Sequence, residues 1–483
     1  MFVNHSPWLH QLNRTRPVTS AEHAKEADVA IIGGGIAGVA TAYFTLKNTA
    51  QTVMLVEANE IAHGATGHNG GFLASYFERS FSSIVDEFGM ELAANAQRDM
   101  DSAWTLLDEI KEQVGLQTPL WQFTGYAACA TKTELLRHLK DISLKAKAGL
   151  PTVTVMVSDH CEFISEIPQD YKPFYTILPK KDILDLLETR DESYIAILPE
   201  RKGCMNSALF TEELTGYLLT TYADRFFLAE HAPVRRLVLK RDHAVLDISK
   251  NKQIAAHHVV LCTNGFENIS IVNLVGAPVN KKFHYLVRGI VGYMAAYTEA
   301  LDKPPGEISY LPKSLRQARD LFEEEPYFYL TRRPFETEEK ETHNLICIGG
   351  PEVLMDDTNN YHTEHDYSED AKRQIDNFLA YTYKHAPKDH IEYKFLWHGL
   401  MGFTPNGIRL IGSEPSNPIL LYNLGCNGVG LLPSIFGGLK ISKHLSNEAI
   451  APSIFDPRNI HFQKPRKAVL RRAATTQTLS SST

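Results

Sequence analysis

Apolar residues along this chain switch between two spacings, and the switches mark its elements. Residues 29–32, VAII, form an unbroken apolar run ending in glycine, the pattern of a parallel strand buried on both faces. The next stretch, IAGVATAYFTLKN, returns apolar residues at helical spacing and is rich in good helix formers. QTVMLVEA (51–58) is a second strand, closing a strand–helix–strand unit. QRDMDSAWTLLDEIKEQV and TELLRHLKDISLKAKAG carry the helical period on either side of a strand candidate, WQFTGYAACA. Beyond residue 276 strands dominate: KFHYLVRGIVGYMAAY, YFYLTRRP and NLICIGGP, with one helix, EDAKRQIDNFLAYTYKH. Near the end, LYNLGCNGVGLLPSIFGGLKISKHL reads as strand, glycine-rich turn and helix.

The 483 residues leave room for two or more domains. With 43% hydrophobic and 22% charged residues the composition is that of a soluble globular protein, and a net charge of −8 argues against nucleic acid as a partner. No apolar run reaches membrane-spanning length, and residues 1–26 lack the apolar core of a signal peptide, so a cytoplasmic location is expected. Cys129, Cys161, Cys204, Cys262, Cys347 and Cys426 are scattered without a C-x-x-C pair. That spacing fits reduced thiols rather than disulfides or zinc, and no metal site is expected. Residues 463–483 are basic and then Ser/Thr-rich, the composition of a disordered tail.

The candidate chemistry begins at the first strand-to-helix turn, where Gly33, Gly35 and Gly38 form G-x-G-x-x-G. The first glycine permits the turn, the second lets a pyrophosphate reach the backbone, and the third lets helix and strand pack closely. Amides at the helix start then face the phosphates. Glu57, at the end of the second strand, is placed to accept hydrogen bonds from both ribose hydroxyls and disfavours a 2′-phosphate. A second glycine-rich loop follows at once, GATGHNGG (64–71). A nicotinamide dehydrogenase has no clear need for it; a longer flavin dinucleotide does.

These stretches, AIIGGGIAG, LVEA and GATGHNGG, resemble the N-terminal half of the D-amino-acid oxidase/glycine oxidase-like family of FAD-dependent oxidoreductases. Within it they are most similar to the gamma-glutamylputrescine oxidase-like branch, where GxSGRNGG-type loops occur. HAPVRRLVL, AAHHVVLCTNGFEN, WHGLMGFTPNGIRLIG and the closing glycine-rich turn match further family stretches in the same order. Asn406 departs from the pattern where Asp is frequent, and Arg409 where Pro is frequent.

The resemblance implies an α/β fold: a Rossmann-like FAD-binding domain, discontinuous in sequence (27–95, 196–275 and 396–450), with an inserted α+β substrate domain (96–195 and 276–395) on a mostly antiparallel sheet. Residues 1–26 are an N-terminal extension, expected to run extended over the surface. The implied FAD contacts are Gly33, Gly35, Ile36, Ala37 and Gly38 at the pyrophosphate, and Glu57 and Ala58 at the ribose. Val234 would meet the adenine and Thr263 the pyrophosphate. Ala65, Thr66, His68, Gly70, Gly71 and Phe72 would lie near the flavin. Cys426, Gly428, Val429, Gly430, Leu431 and Leu432 would cover its N1/O2 edge, where a helix start suits a reduced flavin anion.

The implied activity is oxidation of a C–N bond in an amine or amino-acid derivative by hydride transfer to flavin N5, with O2 as acceptor. The same residues would serve a dehydrogenase that hands electrons to a carrier or quinone. A non-catalytic flavin-binding structural or regulatory protein is the alternative of another class. The arginine with which family members hold a substrate carboxylate falls at Met401 here, and a second at Gly428, which favours an amine. His398, Met401 and Tyr329 are the candidate substrate-pocket residues, with no essential acid/base side chain required. Arg332 and Arg333 are either a replacement anion site or solvated strand-end charges. His68 occupies the position at which GSTWHAAG relatives tether flavin covalently; the GRNGG branch holds FAD non-covalently, and the non-covalent arrangement is the expectation.

Overall fold

A computed structural model of the chain describes residues 4–16, 26–249, 252–266, 269–279, 287–312, 327–337, 340–355, 357–387 and 390–459. The tail expected at 463–483 lies outside the described residues. In chain order the strands are β1 (Glu26–Ile32), β2 (Val53–Val56), β3 (Phe72–Leu73), β4 (Leu120–Cys129), β5 (Val155–Ser158), β6 (Tyr175–Leu178), β7 (Ala196–Met205), β8 (Phe226–Ala229), β9 (Arg236–Leu239), β10 (Ala244–Ser249), β11 (Lys252–Leu261), β12 (Ser270–Asn273), β13 (Arg288–Glu299), β14 (Gly306–Tyr310), β15 (Phe328–Glu336), β16 (Thr342–Leu354), β17 (Phe395–Phe403), β18 (Leu410–Ser413) and β19 (Leu420–Leu424).

The first sheet runs β12-β9-β10-β11-β1-β2-β8, with β19 joined to β11 and β18 to β19. Its centre is parallel: β8, β2, β1, β11 and β19 all point the same way. Both faces of that centre are covered, so β2 and β19 are buried at every position. One face is packed by helix α2 (Ile36–Asn48), which touches the closing helix (Leu431–Leu445). Gly438 permits that approach, since a Cβ there would stand 2.8 Å from the Ala40 carbonyl carbon.

The second sheet runs β17-β13-β16-β15-β14-β4-β7-β5-β6, with β3 on β7. Apart from the parallel pairs β14–β4 and β5–β6 it is antiparallel. The α/β fold with a Rossmann-like unit and an antiparallel-sheet unit is therefore present. β3, β7 and β17, assigned from sequence to the cofactor-binding unit, hydrogen-bond into the second sheet. Their residue pattern does not name the sheet they complete; the register partner does.

One correction concerns the N-terminus. SPWLHQL does not run extended over the surface: it forms the short helix α1 (Pro7–His10), capped by Ser6, and Trp8 is fully buried. The Trp8 ring meets Trp397 edge-on at 6.3 Å, and the Arg333 guanidinium lies 3.8 Å above it. Burial of such a ring stabilises by roughly 2–3 kcal/mol and, with the Arg14–Glu60 and Arg16–Glu230 ion pairs, helps to hold the thirteen-residue arm (4–16) in place. No described helix is long and apolar enough to cross a membrane. None of the six cysteines forms a disulfide, and five of them are buried.

Candidate active site

A cavity of about 630 Å³ opens between the two sheets, and residues from both line it. One end is built mainly of backbone. Gly33 turns at φ +109°, and a Cβ there would stand 2.7 Å from the Cys262 carbonyl oxygen. A Cβ on Gly38 would stand 1.9 Å from the Gly33 carbonyl oxygen, so only glycine lets α2 lie this close to β1. Gly35 caps α2 without a side chain, and its opening amides, which have no acceptor within the helix, face the cavity. The Ile36 amide donates to Thr66 Oγ1 at 3.0 Å.

Glu57 sits at the end of β2, where its carboxylate accepts the Gly34 amide at 2.6 Å and the Asn59 amide at 2.8 Å. Burial raises its pKa against these hydrogen bonds, and Glu230 nearby adds to the rise. The Ala58 amide also favours the charged form, and Glu57 lines the cavity wall. Ala58, Val234 and Thr263 line the same end.

The sequence marks Arg409 only as a departure. In the structure its side chain is buried and on the cavity wall, donating from Nε to Asn423 Oδ1 at 2.9 Å and from Nη2 to Asn423 O at 3.1 Å. It has no carboxylate partner among the described residues, and burial pulls its pKa down to about 10. A buried guanidinium beside two helix N-termini is a positive site that lacks its anion. A diphosphate supplies one. The glycine cradle, the Glu57 carboxylate on the wall and the charge of Arg409, which has no carboxylate partner among the described residues, together fit FAD.

The closing turn completes the cradle. Gly425 (φ +83°), Asn427 (φ +48°) and Gly428 (φ +81°) swing the chain over the cavity, and the Asn427 amide donates to Gly402 O at 2.8 Å. Cys426, Gly428, Val429, Gly430 and Leu431 line the wall, and Leu432 turns into the core behind it.

The other end is built of side chains from the antiparallel sheet. Tyr329 on β15 fills space left by glycines: a Cβ on Gly349 would stand 2.4 Å from its ring, and one on Gly70 2.9 Å. Its hydroxyl donates to Met294 Sδ at 3.3 Å, its ring lies 5.2 Å from that of Phe72, and burial raises its pKa, keeping the phenol neutral. Met401 reaches over Gly292, and Glu352 stands on β16 beside them.

Most expected contacts line this one cavity: Gly33, Gly35, Ile36, Ala37, Glu57, Ala58, Ala65, Thr66, His68, Gly70, Phe72, Val234, Thr263, Tyr329 and Met401. Gly38 and Gly71 do not; each acts from behind. Gly71, at φ +68°, would put a Cβ 2.5 Å from the Trp8 ring, so its role is to admit the N-terminal arm. His68 donates from Nδ1 to Gly64 O at 3.0 Å, the Asn4 carbonyl also faces its ring, and burial keeps it neutral. His398 is off the wall. It lies on the opposite face of β17 from Gly399 and Met401, with Nδ1 3.1 Å from the Tyr361 hydroxyl and Nε2 3.0 Å from His365 O. Arg332 and Arg333 are neither solvated nor on the cavity. Arg332 makes a two-pronged pair with Glu188 at 2.8 and 2.9 Å, and Arg333 stacks on Trp8.

Among the described residues no cluster of histidine, cysteine or carboxylate could hold a metal ion. A family profile described as FAD dependent oxidoreductase (DAO) matches residues 28–443. The gamma-glutamylputrescine oxidoreductase of Escherichia coli is 32% identical over 81 residues, 17% of this chain and 19% of that protein. "Probable oxidoreductase OrdL" of Haemophilus influenzae is 21% identical over 266 residues, 50% of this chain and 60% of that one. The chain thus aligns with less than two thirds of either relative. Two solved structures share the fold: glycine oxidase from Geobacillus kaustophilus (TM-score 0.61, 18% identity, covering 90% of this chain and 98% of that one) and L-proline dehydrogenase from P. horikoshii (TM-score 0.63, 16% identity, 90% and 97%).

Proposed function

The chain belongs to the DAO family of FAD-dependent oxidoreductases, and on that premise we propose that it oxidises the C–N bond of an amine, with O2 as the final electron acceptor. The observation that carries this reading is the charge at the substrate end of the cavity. The charged side chain there is a carboxylate, Glu352, while the position of the family's carboxylate-binding arginine is Met401. Both arginines on the wall lie elsewhere, Arg235 beside Val234 and Arg409 beside Asn423. Among the described residues a substrate carboxylate would meet no cation and a like charge; an amine meets neither problem.

When bound, FAD supplies a two-electron acceptor able to take hydride from carbon. The chain's residues do the rest. Gly33, Gly35 and the α2 amides hold the diphosphate, and Glu57 the ribose. Tyr329, Phe72 and Met401 wall off water and fix the carbon beside the nitrogen. The amine must react unprotonated, because its lone pair forms the C=N bond as hydride leaves; water then splits the imine into a carbonyl compound and the released amine or ammonia. His68, held by main-chain carbonyls, supports non-covalent cofactor binding.

Anaerobic mixing of the yellow holoprotein with a panel of amines, glycine and D-alanine tests the proposal. Bleaching by amines and not by the amino acids is expected; the reverse pattern overturns it. Acid precipitation should release all the flavin into the supernatant. Colour that stays in the pellet and vanishes in H68A would establish the covalent link instead. Air reoxidation of the reduced flavin measures whether O2 is an efficient acceptor.

A further inference from the structure

The acid at the substrate end has an unusual setting. Glu352 is an exposed residue that lines the cavity wall. Its place on the wall comes from a break in register: Gly292 of β13 pairs with Glu352, but Met294 pairs with Gly349, so an irregularity at 350–351 re-aims the strand. Gly292 also pairs with Gly399 of β17, and a Cβ on Gly399 would stand 2.5 Å from the His68 carbonyl oxygen in the flavin loop. Glu352 is therefore two strand spacings, roughly 10 Å, from the strand that touches that loop.

No cation among the described residues pairs with Glu352; its electrostatic neighbour is another acid, Glu78. Glu78 accepts the Tyr327 hydroxyl at 3.0 Å and packs against the closing turn, where a Cβ on Gly428 would stand 3.1 Å from its side chain. Tyr329 and Tyr293 bring neutral phenols, and β17 brings Gly399, Leu400 and Met401. Glu352 thus lines a cavity whose wall at this end includes no arginine or lysine among the described residues, with a second carboxylate nearby. A carboxylate that has a like charge and no cation beside it gains from a cation that joins it.

We propose that Glu352, backed by Glu78, binds a second, non-reacting cationic nitrogen of the substrate, so that the preferred substrate is an α,ω-diamine or a polyamine. This deepens the amine-oxidising reading and rests on it. One nitrogen lies unprotonated at the flavin end; the other stays protonated against Glu352. Burial and the Glu78 charge push the Glu352 carboxyl up to about 7, so it is available in charged form at mildly alkaline pH and gains most from a cation.

Cadaverine and pentylamine, which differ by the second nitrogen, make the test. Rates of anaerobic flavin reduction at pH 8 give the limiting rate and apparent Kd for each. Wild-type protein should bind cadaverine about ten- to a hundredfold more tightly, the size expected of a charge-assisted contact, and E352Q should erase the difference. Equal affinities in the wild type, or a preference that survives E352Q, overturn the proposal. So does an equal loss of limiting rate with both amines in E352Q, which would place Glu352 on the reacting nitrogen. E78Q keeps the anchor and should move the pH at which the preference appears downward. If neither amine bleaches the flavin, the amine-oxidising reading falls by itself. Perturbation of the flavin absorption band by cadaverine then judges the site alone: a perturbation lost in E352Q supports it, and none in the wild type overturns it.

Discussion

The two ends of the cavity are made differently. The cofactor end is local and mostly backbone: Gly33 to Thr66 supply the turn, the helix start, the acid at the end of β2 and the second loop within 34 residues. The substrate end is distant and mostly side chain: Phe72, Tyr329, Glu352 and Met401 come from four strands or strand edges, joined only by sheet pairing. A diphosphate is the same in every relative, so glycines and amides recognise it. A substrate is particular, so side chains on separate strands can change one at a time without disturbing the cradle.

The comparison predicts large effects from small backbone changes at the first end. G38A should be the most damaging. The added methyl collides with the Gly33 carbonyl though it never touches the cavity, so the variant should purify with at least a hundredfold weaker FAD binding, read by titration of apoprotein. Retained yellow colour at wild-type stoichiometry would break the claim that backbone proximity governs this end.

Arg409 sharpens the contrast next, because its two effects have opposite signs. R409M should weaken FAD roughly ten- to a hundredfold by removing a charge-assisted phosphate contact. The same change should raise the melting temperature of the apoprotein by a few degrees, since an uncompensated buried charge is removed. A fall in both would place Arg409 in a structural role.

E57Q should cost about tenfold in FAD affinity, because the amide keeps an acceptor for one ribose hydroxyl but loses the charge. At the substrate end the effect is smaller and depends on pH. A carboxyl raised to about 7 is neutral below that value and charged above it, so preference for cadaverine over pentylamine should grow severalfold between pH 6 and pH 8 and vanish in E352Q. A flat profile would remove Glu352 from recognition.

Much of the cofactor end is legible in the amino-acid sequence. Gly33, Gly35, Glu57, Thr66 and His68 lie within one strand–helix–strand unit and its following loop, where spacing alone fixes which groups meet. Arg409 shows there only as an oddity, since nothing in NGIRLIG tells that its side chain turns inward beside Asn423. His398 is expected on the cavity and is absent from it, because neighbours on a strand point to opposite faces. Nearness in sequence to Met401 says nothing about which face it takes.

The sequence by itself determined the Rossmann-like unit, the FAD cofactor and the absence of an arginine at Met401. These depend on short-range geometry: strand, turn and helix follow one another, and a glycine's freedom is a property of one residue. Only the tertiary structure decided the rest. It drew Trp8 under Gly71 to brace the flavin loop, locked Arg332 onto Glu188, and aimed Glu352 into the cavity through an irregular pairing of β13 with β16. Such contacts join residues tens to hundreds of positions apart, and which face of a strand meets the cavity is set by register with its partner, a quantity no single segment contains.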